Sequence, residues 1–236
     1  EGDEIILNGT KRWCSGAGHS EAYVVYCRLN ESPGAKGIGA VLVHKGTPGF
    51  TFGKRDHHMG FRGVYSADMH FDDVRVPVTD ILAPAGGFSK LMDAFDLERC
   101  GNTTMSLAVG QSAFDFVLAY VKERKQFGRV IGSFQAVKHM CAEMVADLEP
   151  CYSLVWHAAH CFDNSPEESR LMACHAKSHV SEISKIIAKK ATEVHGGMGF
   201  TDLMGVHYWF KRIGVNRHTL GAPELLREEA AKIQNL

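Results

Sequence analysis

Hydrophobic positions fall into two textures along the chain. From Glu4 to about Pro84 they come in short or alternating runs broken by glycine and turn residues: Ile5-Ile6-Leu7, Ala22 to Leu29, Gly39 to His44, Phe50 to Gly53 and Met69 to Val76. Alternation over such short runs is the period of half-buried strands. Asn8-Gly9, with Lys11-Arg12-Trp13 beyond it, predicts a hairpin turn. Strands at this spacing predict an antiparallel β-domain, closed into a barrel or packed sheet on sheet to protect its edges.

After Gly86-Gly87 the period lengthens. Phe88, Leu91, Met92 and Phe95, then Leu107, Gln111, Phe114, Leu118 and Val121, predict one long helix that loosens near Gly101. Val137, Met140, Cys141, Met144, Val145, Leu148, Tyr152, Val155 and Ala159 form a second stripe, kinked at Pro150. A third helix is predicted from Glu167 to about Val194 and a fourth from Pro223 to about Gln234, with proline at its first position. The expected class is α+β: an antiparallel β-domain at 1–85 and a four-helix bundle at 86–236.

Composition narrows the function. With 236 residues, 45% hydrophobic, the chain can bury one large or two modest cores. A formal net charge of -1 gives no bulk attraction to nucleic acid or anionic lipid. No run of about 18 apolar residues predicts a membrane span. Seven cysteines without a CxxC pair point to reduced thiols, hence to a bacterial cytoplasm or a mitochondrial matrix. The chain opens on Glu1 in strand-like sequence, so an upstream portion with any targeting segment is expected beyond it. Among thirteen histidines, His175 and His179, and His157 and His160 with Cys161, have spacings that zinc can use. No HExxH or CxxC frame accompanies them, and no metal is expected.

Candidate chemistry sits in a few strings. Glu123 to Met144 reads ERKQFGRVIGSFQAVKHMCAEM, a basic, aromatic and glycine-broken junction between two apolar-striped helices. It gathers Arg124, Phe127 and Gln135 around a bend, which suits a large anionic cofactor; alone, a solvated turn with an ion pair reads the same way. Phe95-Asp96-Leu97-Glu98-Arg99 puts a carboxylate beside an apolar stripe, where a half-buried cavity would raise its pKa enough to take a carbon acid's proton. The plainer reading is an exposed charge pair. Glu193 to Phe200 holds Gly196, Gly197 and Gly199, which let backbone approach a pyrophosphate, although a helix cap and loop look alike.

Together these strings resemble the acyl-CoA dehydrogenase family over essentially the whole chain. Arg124 to Gln135 is similar to its R-x-x-F-G-x-x-I-x-x-x-Q signature, Phe71 to Pro77 to its F-x-x-V-x-V-P strand, and Gly196 to Phe200 to its G-G-x-G-[YF] turn. Lys11-Arg12-Trp13-Cys14-Ser15-Gly16 resembles its K-x-W-I-[ST]-N strand, and Asp96 to Arg99 the D-L-E-R string of isovaleryl-CoA and long-chain dehydrogenases. The resemblance implies a preceding helical domain, absent from this chain, and FAD as cofactor. Trp13 would cover the flavin and Ser15 bond near its redox nitrogen, where a core Trp with a turn Ser is the plainer alternative. Arg124, Phe127 and Gln135 would reach the FAD of a neighbouring subunit in a homotetramer, and Gly196, Gly197 and Gly199 would lie against its pyrophosphate.

The resemblance also implies a reaction. Glu98 would take the α-proton of an acyl-CoA while a β-hydride passes to FAD, giving a 2-enoyl-CoA, with electron-transfer flavoprotein as acceptor. Leu220 stands where most of the family carries the base, so the base is expected at Glu98 instead. Phe95, Asp96 and Arg99 would contact the acyl-CoA, and backbone around Leu220 and Gly221 the thioester oxygen. The moved base favours a branched, cyclic, aryl or long acyl chain. Lys211-Arg212 departs from the family's Arg-Asp pair. A same-fold flavin oxidase or monooxygenase, and a catalytically silent partner-binding subunit or fragment, remain as alternatives.

Overall fold

A computed structural model describes residues 2–236, which divide between Ala94 and Phe95 into two compact units. The first holds six strands: β1 (Glu4–Ser15), β2 (Ala22–Arg28), β3 (Ile38–His44), β4 (Phe50–Phe52), β5 (Ser66–Pro77) and β6 (Ile81–Ala83). They form two antiparallel sheets, β1-β5-β4 and β2-β3-β6. Leu7, Phe50, Phe71 and Val74 from one sheet and Tyr23, Val25, Val41 and Val43 from the other share one buried cluster, as packed sheets require.

The hairpin expected at Asn8-Gly9 is not there; β1 runs straight through it. Asn8 Nδ2 donates to Asp73 Oδ1 at 2.8 Å, and Asn8 Oδ1 accepts the Asp73 N–H at 2.8 Å, so the side chain binds the partner strand instead of turning its own. Leu7 pairs with Val74 but Gly9 with Phe71, which leaves an extra residue in β5, and Asp73 takes a φ of 48°. This is a β-bulge. A second bulge lies between the Lys11–Met69 and Cys14–Ala67 pairs, with the extra residue now in β1.

Helix α1 (Phe88–Glu123) crosses the division between the units, its first residues counting with the β-unit, where the Phe88 ring meets Tyr26 edge-on at 6.2 Å. A small hairpin, β7 (Lys125–Gln126) and β8 (Arg129–Val130), follows, then α2 (Gln135–Asn164), α3 (Pro166–Val194), α4 (Val206–His218) and α5 (Pro223–Ile233). The helix does not loosen at Gly101. Thr103, Thr104 and Ser106 donate their hydroxyls to the carbonyls of Arg99, Cys100 and Asn102, so this polar stretch meets its hydrogen bonds within the helix. By length and composition α1 could cross a membrane, but Leu107, Phe114, Val117 and Val121 are buried with Met144, Leu148, Val155 and Val180 in the helical core. All seven cysteines are free thiols.

One helix more than the expected four is present. In α4, Val206 and Ile213 are buried while Tyr208 and Phe210 are exposed, so its apolar residues circle the axis and leave no stripe to read.

Lys177 of α3 is fully buried. Its Nζ donates to the Asn216 carbonyl at 2.5 Å and to Ser181 Oγ at 3.2 Å. Burial, then Arg217 and Arg99, push its pKa down from 10.5 to about 8. Between those values the unfolded chain holds a proton that the folded chain has released, so this group's contribution to stability rises with pH. Stability of the natural protein relative to Lys177→Met should therefore climb from pH 8 to 10, by at most about 3 kcal/mol. Denaturant titrations at several pH values check this, and a difference flat across that range contradicts it.

Candidate active site

The α1–α2 corner is a tight hairpin. Its tip is Phe127-Gly128, with φ of 53° and 79°, the doubly positive pair of a type I′ turn. Glycine adopts this freely, whereas for a bulky aromatic residue it is an outlier of the kind that collects at functional sites. The Phe127 ring is 91% exposed. Beneath it the Arg129 guanidinium lies 4.0 Å over the Phe134 ring, and the Ile131 N–H donates to the Arg124 carbonyl at 2.8 Å. Gln135 opens α2, exposed, with Nε2 2.8 Å from His139 Nε2. Arg124, Phe127 and Gln135 thus stand exposed on one rigid corner.

Arg124 also lines a cavity of about 430 Å³ together with Tyr120, Ile131, His195, Gly196 and Gly197. The glycine turn, a short 3-10 stretch at Gly196–Phe200, is thereby brought to the corner that the sequence placed some seventy residues away. Gly196 has φ of 59°; Gly199 is needed for a different reason, since a Cβ there would lie 2.3 Å from the Thr192 carbonyl. Gly199 itself does not reach this cavity. It lines a separate one of about 720 Å³ with Phe200, His207 and Phe210.

His195, which the reading of its string for glycines passed over, is buried in the same wall. Its ring stacks on Tyr120 at 4.2 Å and Phe116 at 5.2 Å, and Nδ1 lies 2.7 Å from the Ala191 carbonyl. Its Nε2 is buried with no hydrogen-bond partner among the described residues. Burial holds the imidazole below the usual histidine range, against the Ala191 bond.

In the β-unit, Trp13 occupies the second bulge at φ of 55° and is 68% exposed. Ser15, at the end of the same strand, is exposed. Neither is core.

On α1, Asp96 is buried and Arg99 largely so, and the two pair. Arg99 Nε donates at 2.9 Å to the carbonyl of Leu220, which has φ of 62°, and Gly221 follows at 112°. Phe95 is half-buried. Glu98, expected half-buried beside the apolar stripe, is instead exposed, and so is Leu97. Asp96, Cys100, Thr103 and Leu107 take the inner face, which turns Glu98 outward. Glu224 of α5, the carboxylate nearest in sequence after Leu220, is engaged: Arg217 bonds both it and Glu182, and Glu224's own backbone N–H and then Arg217 hold its carboxyl below the usual range.

The family pattern described as acyl-CoA dehydrogenase, middle domain, matches residues 1–74, and that of the C-terminal domain residues 85–234. The chain belongs to the acyl-CoA dehydrogenase family. Proteins of this family are FAD-dependent oxidoreductases acting on acyl-CoA thioesters. The chain is 38% identical over 200 residues, 84% of its length and 52% of the relative's, to caffeyl-CoA reductase-Etf complex subunit CarC of Acetobacterium woodii. It is 33% identical to the human mitochondrial short-chain specific acyl-CoA dehydrogenase, covering 96% of this chain and 55% of that one. Butyryl-CoA dehydrogenase from Megasphaera elsdenii superposes with a TM-score of 0.94 at 26% identity, over 100% of this chain and 62% of that one. The chain spans about half the length of the curated relatives it matches.

Lys211 and Arg212, where the resemblance leads one to expect an Arg-Asp pair, sit on α4, where burial lowers the Arg212 pKa and its guanidinium reaches Met105 Sδ at 3.5 Å. Of the histidine groups, His157 and Cys161 come together with Glu168 of α3, their ligand atoms within 4.8 Å of one another. Sequence spacing had not joined that carboxylate to them, because it comes from the next helix.

Two of the turn's three glycines make a matched test of its packing. Gly199→Ala should cost roughly 2–4 kcal/mol, because backbone must move away from the new methyl group. Gly197→Ala meets open space and should leave thermal unfolding nearly unchanged. Equal losses for both would contradict the assignment.

Proposed function

We propose that the whole protein is an FAD-dependent acyl-CoA dehydrogenase in which Glu98 removes the α-proton of the thioester. The observation that carries this is the Arg99 to Leu220 bond. It ties the helical turn bearing Glu98 to the backbone at Leu220, which the resemblance aligns with the base of most of the family. A carboxylate can thus serve the same locus from α1 once residue 220 is leucine. Backbone N–H groups around Leu220 and Gly221 would hydrogen-bond the thioester oxygen as enolate charge develops, which is what makes so weak a carbon acid accessible to a carboxylate. Asp96 and Arg99 would position the acyl-CoA, with Phe95 beside its pantetheine arm.

The residues of this chain suit FAD: an exposed Trp13 with Ser15 in the β-unit, and a corner where Arg124 and two glycines share one cavity. Bound flavin supplies the two-electron acceptor for the β-hydride. Arg124 would hold phosphate by a charge-assisted bond, and Phe127 and Gln135 would meet the dinucleotide of a neighbouring copy, in a tetramer. The names of two relatives, a caffeyl-CoA reductase subunit and a short/branched chain specific dehydrogenase, support an aryl or branched acyl chain. The name of the first also supports electron-transfer flavoprotein as the redox partner.

Glu98→Gln is isosteric but cannot accept the proton. Acyl-CoA-dependent bleaching of the flavin should slow by roughly 10²–10⁴-fold while acyl-CoA binding persists. Glu224→Gln should bleach at the natural rate, and the reverse pattern would move the base to the late segment. Arg124→Ala should retain FAD roughly 10- to 100-fold less tightly, measured by flavin fluorescence on titration. Unaltered retention would remove the corner from the cofactor site.

A further inference from the structure

We propose that His157, Cys161 and Glu168 bind a zinc ion at the turn between α2 and α3. His157 and Cys161 stand one helical turn apart on one face of α2, with Sγ 3.9 Å from Nε2. Helix α3 begins just beyond, at Pro166, and its first turn brings the Glu168 carboxylate alongside, so that the three ligand atoms lie within 4.8 Å of one another. Four-coordinate zinc, with bonds of about 2.0–2.3 Å, sets its ligand atoms roughly 3.3–3.8 Å apart. Sulfur and nitrogen stand almost at that spacing, and side-chain rotation closes the rest, since His157 and Glu168 are both exposed. Their exposure also admits the ion from solvent, with the buried Cys161 as the floor of the site.

The donor set selects the ion. Imidazole nitrogen, thiolate sulfur and carboxylate oxygen together suit zinc, whereas calcium and magnesium take oxygen ligands. No lysine or arginine among the described residues pairs with the Glu168 carboxylate; Arg170, two residues on, pairs instead with Glu229 of α5 at 2.6 Å. Burial, then Glu168 and Glu167, hold the Cys161 thiol above its ordinary range, so it is no ready nucleophile. A dication is what such a group of carboxylates and thiol attracts: the thiol proton passes to solvent as the Zn–S bond forms, and no electron changes hands. Three protein ligands leave the fourth position to water, and the ion ties the last turn of α2 to the first of α3.

Equilibrium dialysis of the whole protein against zinc chloride, with bound zinc read by elemental analysis, tests this. The natural protein should retain one ion per chain. His157→Gln and Glu168→Gln change exposed side chains and should each weaken zinc at least about tenfold, a loss that removing even a ligand's hydrogen-bond partner can cause. His175→Gln, in the other histidine pair, should bind zinc as the natural protein does. Cobalt(II) should give a thiolate charge-transfer band in the difference spectrum of the natural protein that Cys161→Ser lacks; if that buried variant does not fold, the two exposed variants still decide. No retained zinc, zinc held as tightly by both exposed variants as by the natural protein, or a loss confined to His175→Gln overturns the site.

Discussion

The guanidinium of Arg99 is the constraint on which the helical unit's site depends. It is paired with Asp96 one turn away on α1 and donates through Nε to the Leu220 carbonyl, so two segments far apart in sequence are fixed at 2.9 Å. Side-chain exposures of 7% for Asp96 and 21% for Arg99 put the pair where solvent screening is weak. Breaking such a buried pair leaves an uncompensated charge, typically at a cost of about 3–5 kcal/mol. Lys177 acts beside it on the same stretch, holding the Asn216 carbonyl at the end of α4. Two cations therefore hold carbonyls on either side of the C-terminus of α4, Asn216 within its last turn and Leu220 just beyond it, and the loop at Leu220 has little freedom to drift.

Backbone conformation marks the same places independently. Six non-glycine residues have positive φ among those described, and Trp13, Phe127 and Leu220 are three of them. Each is bulky, and each is held by a different device: a β-bulge, the tip of a two-residue hairpin, and the Arg99 bond to a loop that continues into Gly221. Such conformations cost of order 1–3 kcal/mol apiece and persist only where the surroundings over-determine them. Sequence motifs had singled out all three for reasons unrelated to φ.

The change of hydrophobic period near Gly86-Gly87 was legible because periods of two and of about 3.6 residues are properties of single segments. What failed depended on remote partners. Asn8-Gly9 carries the same local signal whether it turns or bridges, and only Asp73, 65 residues away, decides for a bulge. The phase of α1 was misjudged because its inner face holds Asp96, Asn102, Thr103 and Ser106, of which Asp96 pairs with Arg99 while Thr103 and Ser106 donate to the helix's own carbonyls. Hydropathy assigns such residues outward, and that error carried Glu98 inward. Helix α4 lacked a stripe altogether, and His195 was hidden among glycines that had a reading of their own.

The exposure of Glu98 bears on how the proposed base would work. A fully hydrated carboxylate is a poor base towards a carbon acid, and Glu98 is exposed. Its desolvation must then come from what covers α1 when substrate is present. Leu97 is exposed on that side of the helix, and at Gly101 a Cβ would meet nothing within 4 Å, which leaves an open strip one turn from the carboxylate. An acyl chain laid along it would strip water from Glu98 as it binds. The proposed base would then act only while covered by substrate, which ties proton removal to binding.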